Sequence, residues 1–101
     1  MINTNNAVVA YSSYDYADNT AFPIVAENGH RVGLIIYNAS NKDVFIHLAW
    51  DNATSTTETY SFVIPASGRY DMPLGYTTVN FYARWDEAAT GSLKVTEVSD
   101  Y

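Results

Sequence analysis

Apolar and polar residues alternate with a period of two along much of this chain, most legibly from Arg31 to Trp50. Val32, Leu34 and Ile36 alternate with Arg31, Gly33, Ile35 and Tyr37. After a polar break, Val44, Ile46, Leu48 and Trp50 alternate with Asp43, Phe45, His47, Ala49 and Asp51. A pleated strand with one buried face requires that period, because successive side chains leave opposite faces. Asn38 to Asp43 holds residues that tolerate a left-handed backbone or bond their own main chain. The stretch therefore predicts a core hairpin closed by a tight polar turn.

The same reading extends along the chain. Ala7 to Tyr11 predicts a first strand. Tyr11, Tyr14 and Tyr16 then stand among Ser, Asp and Asn without a clean core period. Residues 1–20 are accordingly expected to form a Tyr-rich arm, lying on the domain or docking on a neighbouring subunit. Residues 21–101 are expected to form the β-sandwich domain, with its core within 21–98, so that deleting 1–18 should leave a folded domain. Phe22 to Ala26 predicts a short strand that Pro23 places at an edge or a strand start. Tyr60, Phe62 and Ile64 alternate, as do Val79, Phe81, Ala83 and Trp85, and then Leu93 and Val95. Arg69 to Pro73 makes a short strand between them, and Asp86 to Gly91 is expected to close a final hairpin. Seven or eight short strands with turn signals about every 8–12 residues predict an all-β, antiparallel two-sheet β-sandwich, jelly-roll or Ig-like.

Composition narrows the classes of function. At 101 residues the chain supports one modest core. With 48% hydrophobic and 16% charged residues, it belongs with folded chains. Nine Tyr with abundant Thr and Val favour strands. The best helical candidate, Asp86 to Ala89, fits a single turn. The absence of Cys excludes disulfides and thiolate metal sites. A formal charge of −6 with five Lys and Arg argues against nucleic acid and anionic membranes as partners. No stretch approaches the roughly 20 apolar residues that span a bilayer. Residues 1–15 lack the basic region and apolar run of a signal peptide, so synthesis in the cytoplasm without Sec-type export is expected.

Candidate chemistry is sparse. His30 and His47 can be combined with many Ser and Asp residues, but no nucleophile turn accompanies them, and the chain is expected not to be an enzyme. Asp15, Asp18, Asp51, Asp86 and Glu87 do not fall at the spacing of a calcium loop, so neither metal nor cofactor is expected. Trp50 and Trp85 share the inward register and are expected in the core. The candidates for binding a partner are aromatic: Tyr11, Tyr14 and Tyr16 in the arm, and Tyr37, Phe45 and Tyr82 on outward strand faces. Tyr11, Tyr14, Tyr16, Tyr76 and Tyr82 also suit a sugar-stacking platform.

An ordered series of turns and strands adds a resemblance. Asn28 and Arg31 lead into Gly33-Leu34-Ile35-Ile36 and the turn Tyr37-Asn38-Ala39-Ser40. A Thr-Ser loop, Thr54 to Thr57, precedes the strand Tyr60 to Ile64. Then come Pro65, Gly68, Tyr70, Pro73 and Gly75-Tyr76-Thr77, and finally Trp85 and Gly91-Ser92-Leu93-Lys94-Val95-Thr96-Glu97. Over residues 20 to 98 this resembles the small β-sandwich structural proteins of tailed-bacteriophage virions. The resemblance implies a capsid decoration (cement) protein at the virion surface. Its partners would be the major capsid protein and copies of itself, as dimer or trimer, and its role capsid stabilisation. A head-tail or tail-associated component belongs to the same class; a carbohydrate-binding module with a glycan partner is the alternative of another class. Two departures matter. Ala49-Trp50 replaces a Gly usual in the family, and Asn80 to Arg84 is bulkier than its usual approach to the late Trp, so the docking surface is expected to differ.

Overall fold

A computed structural model describes residues 7–49, 60–72 and 78–100. They form eight strands: β1 (Ala7–Asp15), β2 (Phe22–Val25), β3 (Arg31–Ser40), β4 (Val44–Ala49), β5 (Phe62–Ile64), β6 (Arg69–Asp71), β7 (Asn80–Trp85) and β8 (Gly91–Asp100). One sheet has the order β1-β8-β3-β6 and the other β2-β7-β4-β5. Every pairing is antiparallel. The chain is all-β, a two-sheet sandwich as the strand pattern predicts.

The pairings nest: β1 with β8, β2 with β7, β3 with β6 and β4 with β5. This is one long antiparallel ribbon rolled onto itself, the jelly-roll order of the two sandwich topologies anticipated. Rolling the ribbon sends consecutive strands into opposite sheets everywhere but at its closed end, where β4 pairs with β5, and that overturns the expected core hairpin. β3 and β4 do not pair; the short link between them carries the chain from the first sheet to the second. The expected final hairpin fails for the same reason, since β7 and β8 also lie in different sheets. Period-two alternation identifies a strand's buried face but is silent about which strand lies beside it.

The core lies between the sheets. Leu34 and Ile36 of β3 and Leu93 and Val95 of β8 meet Val44 and Ile46 of β4, Phe81, Ala83 and Trp85 of β7, Ile24 and Ile64. Burying each large side chain contributes about 1.5–3 kcal/mol before the entropy of ordering it. Trp85 is buried as expected; Trp50 and Tyr76 lie outside the described residues.

Two features depart from simple alternation. The β3–β8 register shifts between Arg31 and Gly33, and this irregularity leaves Arg31 buried although the pleat would turn it outward. Further along, β3 runs to Ser40, so Asn38 is a buried strand residue rather than part of the turn. Its Nδ2 donates to the carbonyls of Lys42 (2.8 Å) and Ile64 (2.9 Å), and its Oδ1 lies 2.6 Å from Ser40 Oγ. Trp85 Nε1 donates to that same hydroxyl at 3.0 Å, tying β7 to the end of β3.

Candidate interaction surfaces

The middle outward residues of the first sheet form three rows set by strand register: Val9–Val98–Gly33, Tyr11–Thr96–Ile35–Asp71 and Ser13–Lys94–Tyr37–Arg69. In antiparallel pairs, residues directly opposite share a face. Tyr11 is 62% exposed and Val9 64%, while Ile35 and Tyr37 each keep 40%. The centre of this face is apolar. Its charges sit towards one side, where Arg69 pairs with Asp71 at 2.9 Å and Lys94 Nζ donates to Ser13 Oγ at 3.3 Å. Tyr11, expected in the arm, and Tyr37, expected on an outward strand face, are thus brought onto one face.

The outer face of the second sheet carries Phe45 and Tyr82, at adjacent strands but not directly opposite: Phe45 faces Arg84 and Val63, and His47 faces Tyr82. The Arg84 guanidinium lies 4.8 Å from the Phe45 ring centroid and also pairs with Asp86. Tyr60 meets the Phe45 ring edge-on at 5.0 Å. Arg84 is outward by register yet only 2% exposed. Phe45 is therefore half-buried among the chain's own side chains, in a cation–π arrangement.

Tyr14 and Tyr16 point inward and pack against the core. Tyr14 lies 5.4 Å from Phe22, and its hydroxyl donates to the Ile24 carbonyl at 3.1 Å, joining β1 of the first sheet to β2 of the second. Tyr16 sits edge-on to Trp85 at 6.1 Å, with Phe22 stacked on the same indole at 5.8 Å. The segment expected to be an arm thus contributes a nine-residue strand and two aromatic rings to the sandwich. An open cleft of about 470 Å³ lies over the β1–β2 connection, lined by Ser13, Tyr14, Asp15, Asp18, Thr20 and Phe22.

Among the described residues, no group of three or more His, Asp or Glu side chains is placed to hold a metal ion. His30 is exposed in its turn, with Nδ1 3.1 Å from the Asp100 carbonyl, and His47 stands on the outer face of β4. Tyr70 stacks on Phe62 at 4.5 Å, and burial pushes its phenol above the usual range. Val9 and Ile35 were not singled out from sequence, although Ile35 already stood in the outward register. Arg31 and Arg84 read as ordinary surface cations, and only the folded packing shows them buried. Comparisons with family models, with curated proteins and with solved structures return no match, and they link the chain to no phage structural protein.

Proposed function

We propose that this chain is a non-enzymatic structural protein of a tailed-bacteriophage virion, a capsid decoration protein that binds the major capsid protein lattice. The observation carrying this reading is the outer face of the first sheet, where Tyr11, Ile35 and Tyr37 present exposed apolar area in neighbouring rows. Exposed patches of this kind on a small domain mark surfaces that dock on other proteins. The ordered series of sequence motifs from residue 20 to 98 supports the same class. The jelly roll is used by viral capsid proteins, an analogy of fold alone. In mechanism, covering this face at each lattice position removes apolar area from water, at about 25 cal/mol per Å² before ordering costs. Repetition over many copies multiplies a modest interface into a stabilised shell.

Lectins share the jelly roll, which keeps a carbohydrate-binding module as the reading of another class. Tyr14 and Tyr16 are engaged with Phe22 and Trp85, which weighs against an arm that stacks on sugars. Purified particles separate these readings. Hundreds of copies per particle, and lower thermal stability once the protein is stripped, are expected. A few copies at the neck or tail would place it with the head-tail components. Glycan binding lost on replacing Tyr11 or Tyr82 would favour the lectin-like reading.

A further inference from the structure

We propose that β1 pairs with β1 of a second copy, antiparallel and centred on Tyr11, to make a two-fold dimer with a continuous eight-stranded sheet. β1 and β6 are the edges of the first sheet, and β2 and β5 those of the second. Three of these edges are blunted. β5 and β6 are three residues long, β6 carries the exposed Arg69–Asp71 pair, and β2 contains Pro23. β1 is nine residues long, and from Ala7 to Tyr14 it holds no Pro, no Gly and no charge. Natural sheets rarely leave such an edge open, because its unpaired N–H and C=O groups template another strand.

A strand neutral from Ala7 to Tyr14 that pairs with itself over its full length favours another copy of this chain as the occupant. The chain carries a formal −6, so self-association is least opposed where the contacting strand is neutral. A register centred on Tyr11 pairs all nine residues: Tyr11 with Tyr11, Ala10 with Ser12, Val9 with Ser13, Val8 with Tyr14 and Ala7 with Asp15. Any other register shortens the overlap. This one keeps the two Asp15 carboxylates apart by eight residues of strand, roughly 27 Å, well beyond the screening length at physiological salt. Opposed residues share a face, so the outer row Ile35–Thr96–Tyr11 runs on into its two-fold mate. The contact is isologous, as closed dimers require. It rests on β1 alone and not on the virion reading, so a monomeric result would remove the pairing without touching the particle experiment.

The chain has no Cys, which makes cross-linking a clean test. Light scattering of the purified protein should give twice the chain mass of 11.2 kDa. Tyr11→Cys, self-opposed at the two-fold, should be driven to a disulfide-linked dimer by mild oxidation, whereas Asp15→Cys, opposite Ala7, should stay uncross-linked. Tyr11→Lys sets two like charges directly opposite and should return the mass to 11.2 kDa with an unchanged circular dichroism spectrum. A wild-type monomer from micromolar to millimolar concentration overturns the proposal. So does a dimer that survives Tyr11→Lys, or equal cross-linking of the two Cys variants.

Discussion

Arg31 Nε donates to Glu97 Oε2 at 2.7 Å, from a strand position that simple alternation would turn to solvent. The guanidinium also donates to the carbonyls of Val79 (3.0 Å) and Ala26 (2.5 Å) and lies 5.5 Å from the Phe81 ring centroid. One cation thereby ties β3 and β8 of the first sheet to the chain at the end of β2 and the start of β7. The Arg31 side chain is 0% exposed and that of Glu97 18%. Removing one partner of such a pair leaves a buried charge uncompensated. Glu97→Ala should lower the unfolding free energy by about 3 kcal/mol, the lower end of the range for breaking buried pairs. Replacing both residues with Met should recover part of the loss. Denaturant unfolding measures both, and a Glu97→Ala loss below about 1 kcal/mol would show that Arg31 is satisfied without Glu97.

Asn38 supports a second prediction. Its amide meets two main-chain carbonyls, and its oxygen accepts from the Ser40 backbone N–H at 3.2 Å as well as from the hydroxyl. Asn38→Leu removes the side-chain donor to the Ile64 carbonyl and leaves the Lys42 carbonyl to the Ser40 hydroxyl at 2.9 Å, at roughly 1–3 kcal/mol for a group left unsatisfied. Asn38→Asp sets a carboxylate oxygen against them and should be at least as damaging. Ser40→Ala is expected to be milder, and it removes the acceptor of the Trp85 indole N–H. In a Trp50→Phe background, a shift of Trp85 emission should accompany that loss of stability. Unchanged emission would refute the link from Ser40 to Trp85.

These two clusters mark where the sequence stops being legible. The faces of β3, β4 and β7 follow directly from Leu34 and Ile36, Val44 and Ile46, and Phe81, Ala83 and Trp85, because period-two alternation is a local consequence of the pleat. Neighbour relations are not local. The turn-like run Asn38 to Asp43 reads equally well as a hairpin turn or as a crossing between sheets, and the rolled ribbon decides for the crossing. Arg31 escapes the pattern because a register shift of one residue reverses the face that follows. Tyr14 and Tyr16 read as arm residues since Ser, Asp and Asn surround them, yet Phe22 and Trp85 provide an apolar site that only the fold assembles. On the candidate surface, the outward register of Tyr37, Phe45 and Tyr82 was readable. That Tyr37 shares a face with Tyr11, while Phe45 is half-covered by Arg84, was not.

Gly91 should be irreplaceable where Gly29 is not. At the start of β8 its φ is 108°, a left-handed backbone that side chains disfavour. A Cβ there would fall 2.2 Å from the Ala39 carbonyl oxygen and 2.8 Å from Ser40 Cα, both main-chain atoms with little room to yield. Gly91→Ala should therefore lower stability by at least about 1–3 kcal/mol. Around Gly29 nothing lies within 4 Å of the added atom, and Gly29→Ala should stay within about 0.5 kcal/mol of the parent. Equal midpoints in urea for the two variants would contradict this.

The first strand offers the most direct test of how the chain is divided. Ala7 to Asp15 pairs with Asp100 to Ser92 over nine positions, and the Tyr14 hydroxyl reaches the Ile24 carbonyl in the opposite sheet. Deleting residues 1–15 would turn β8 into an edge, strand its main-chain groups on that side and uncover Leu93, which stands directly opposite Tyr14. An appended arm would come off with no change in the denaturant midpoint. An integral strand would take much of the cooperative transition with it, and that is the outcome expected. Tyr14→Ala isolates the packing contribution: as a half-buried ring it should lower stability by about 2 kcal/mol, somewhat less than for a fully buried aromatic. A truncated chain that unfolds at the wild-type midpoint, together with a silent Tyr14→Ala, would return residues 1–15 to the status of an arm.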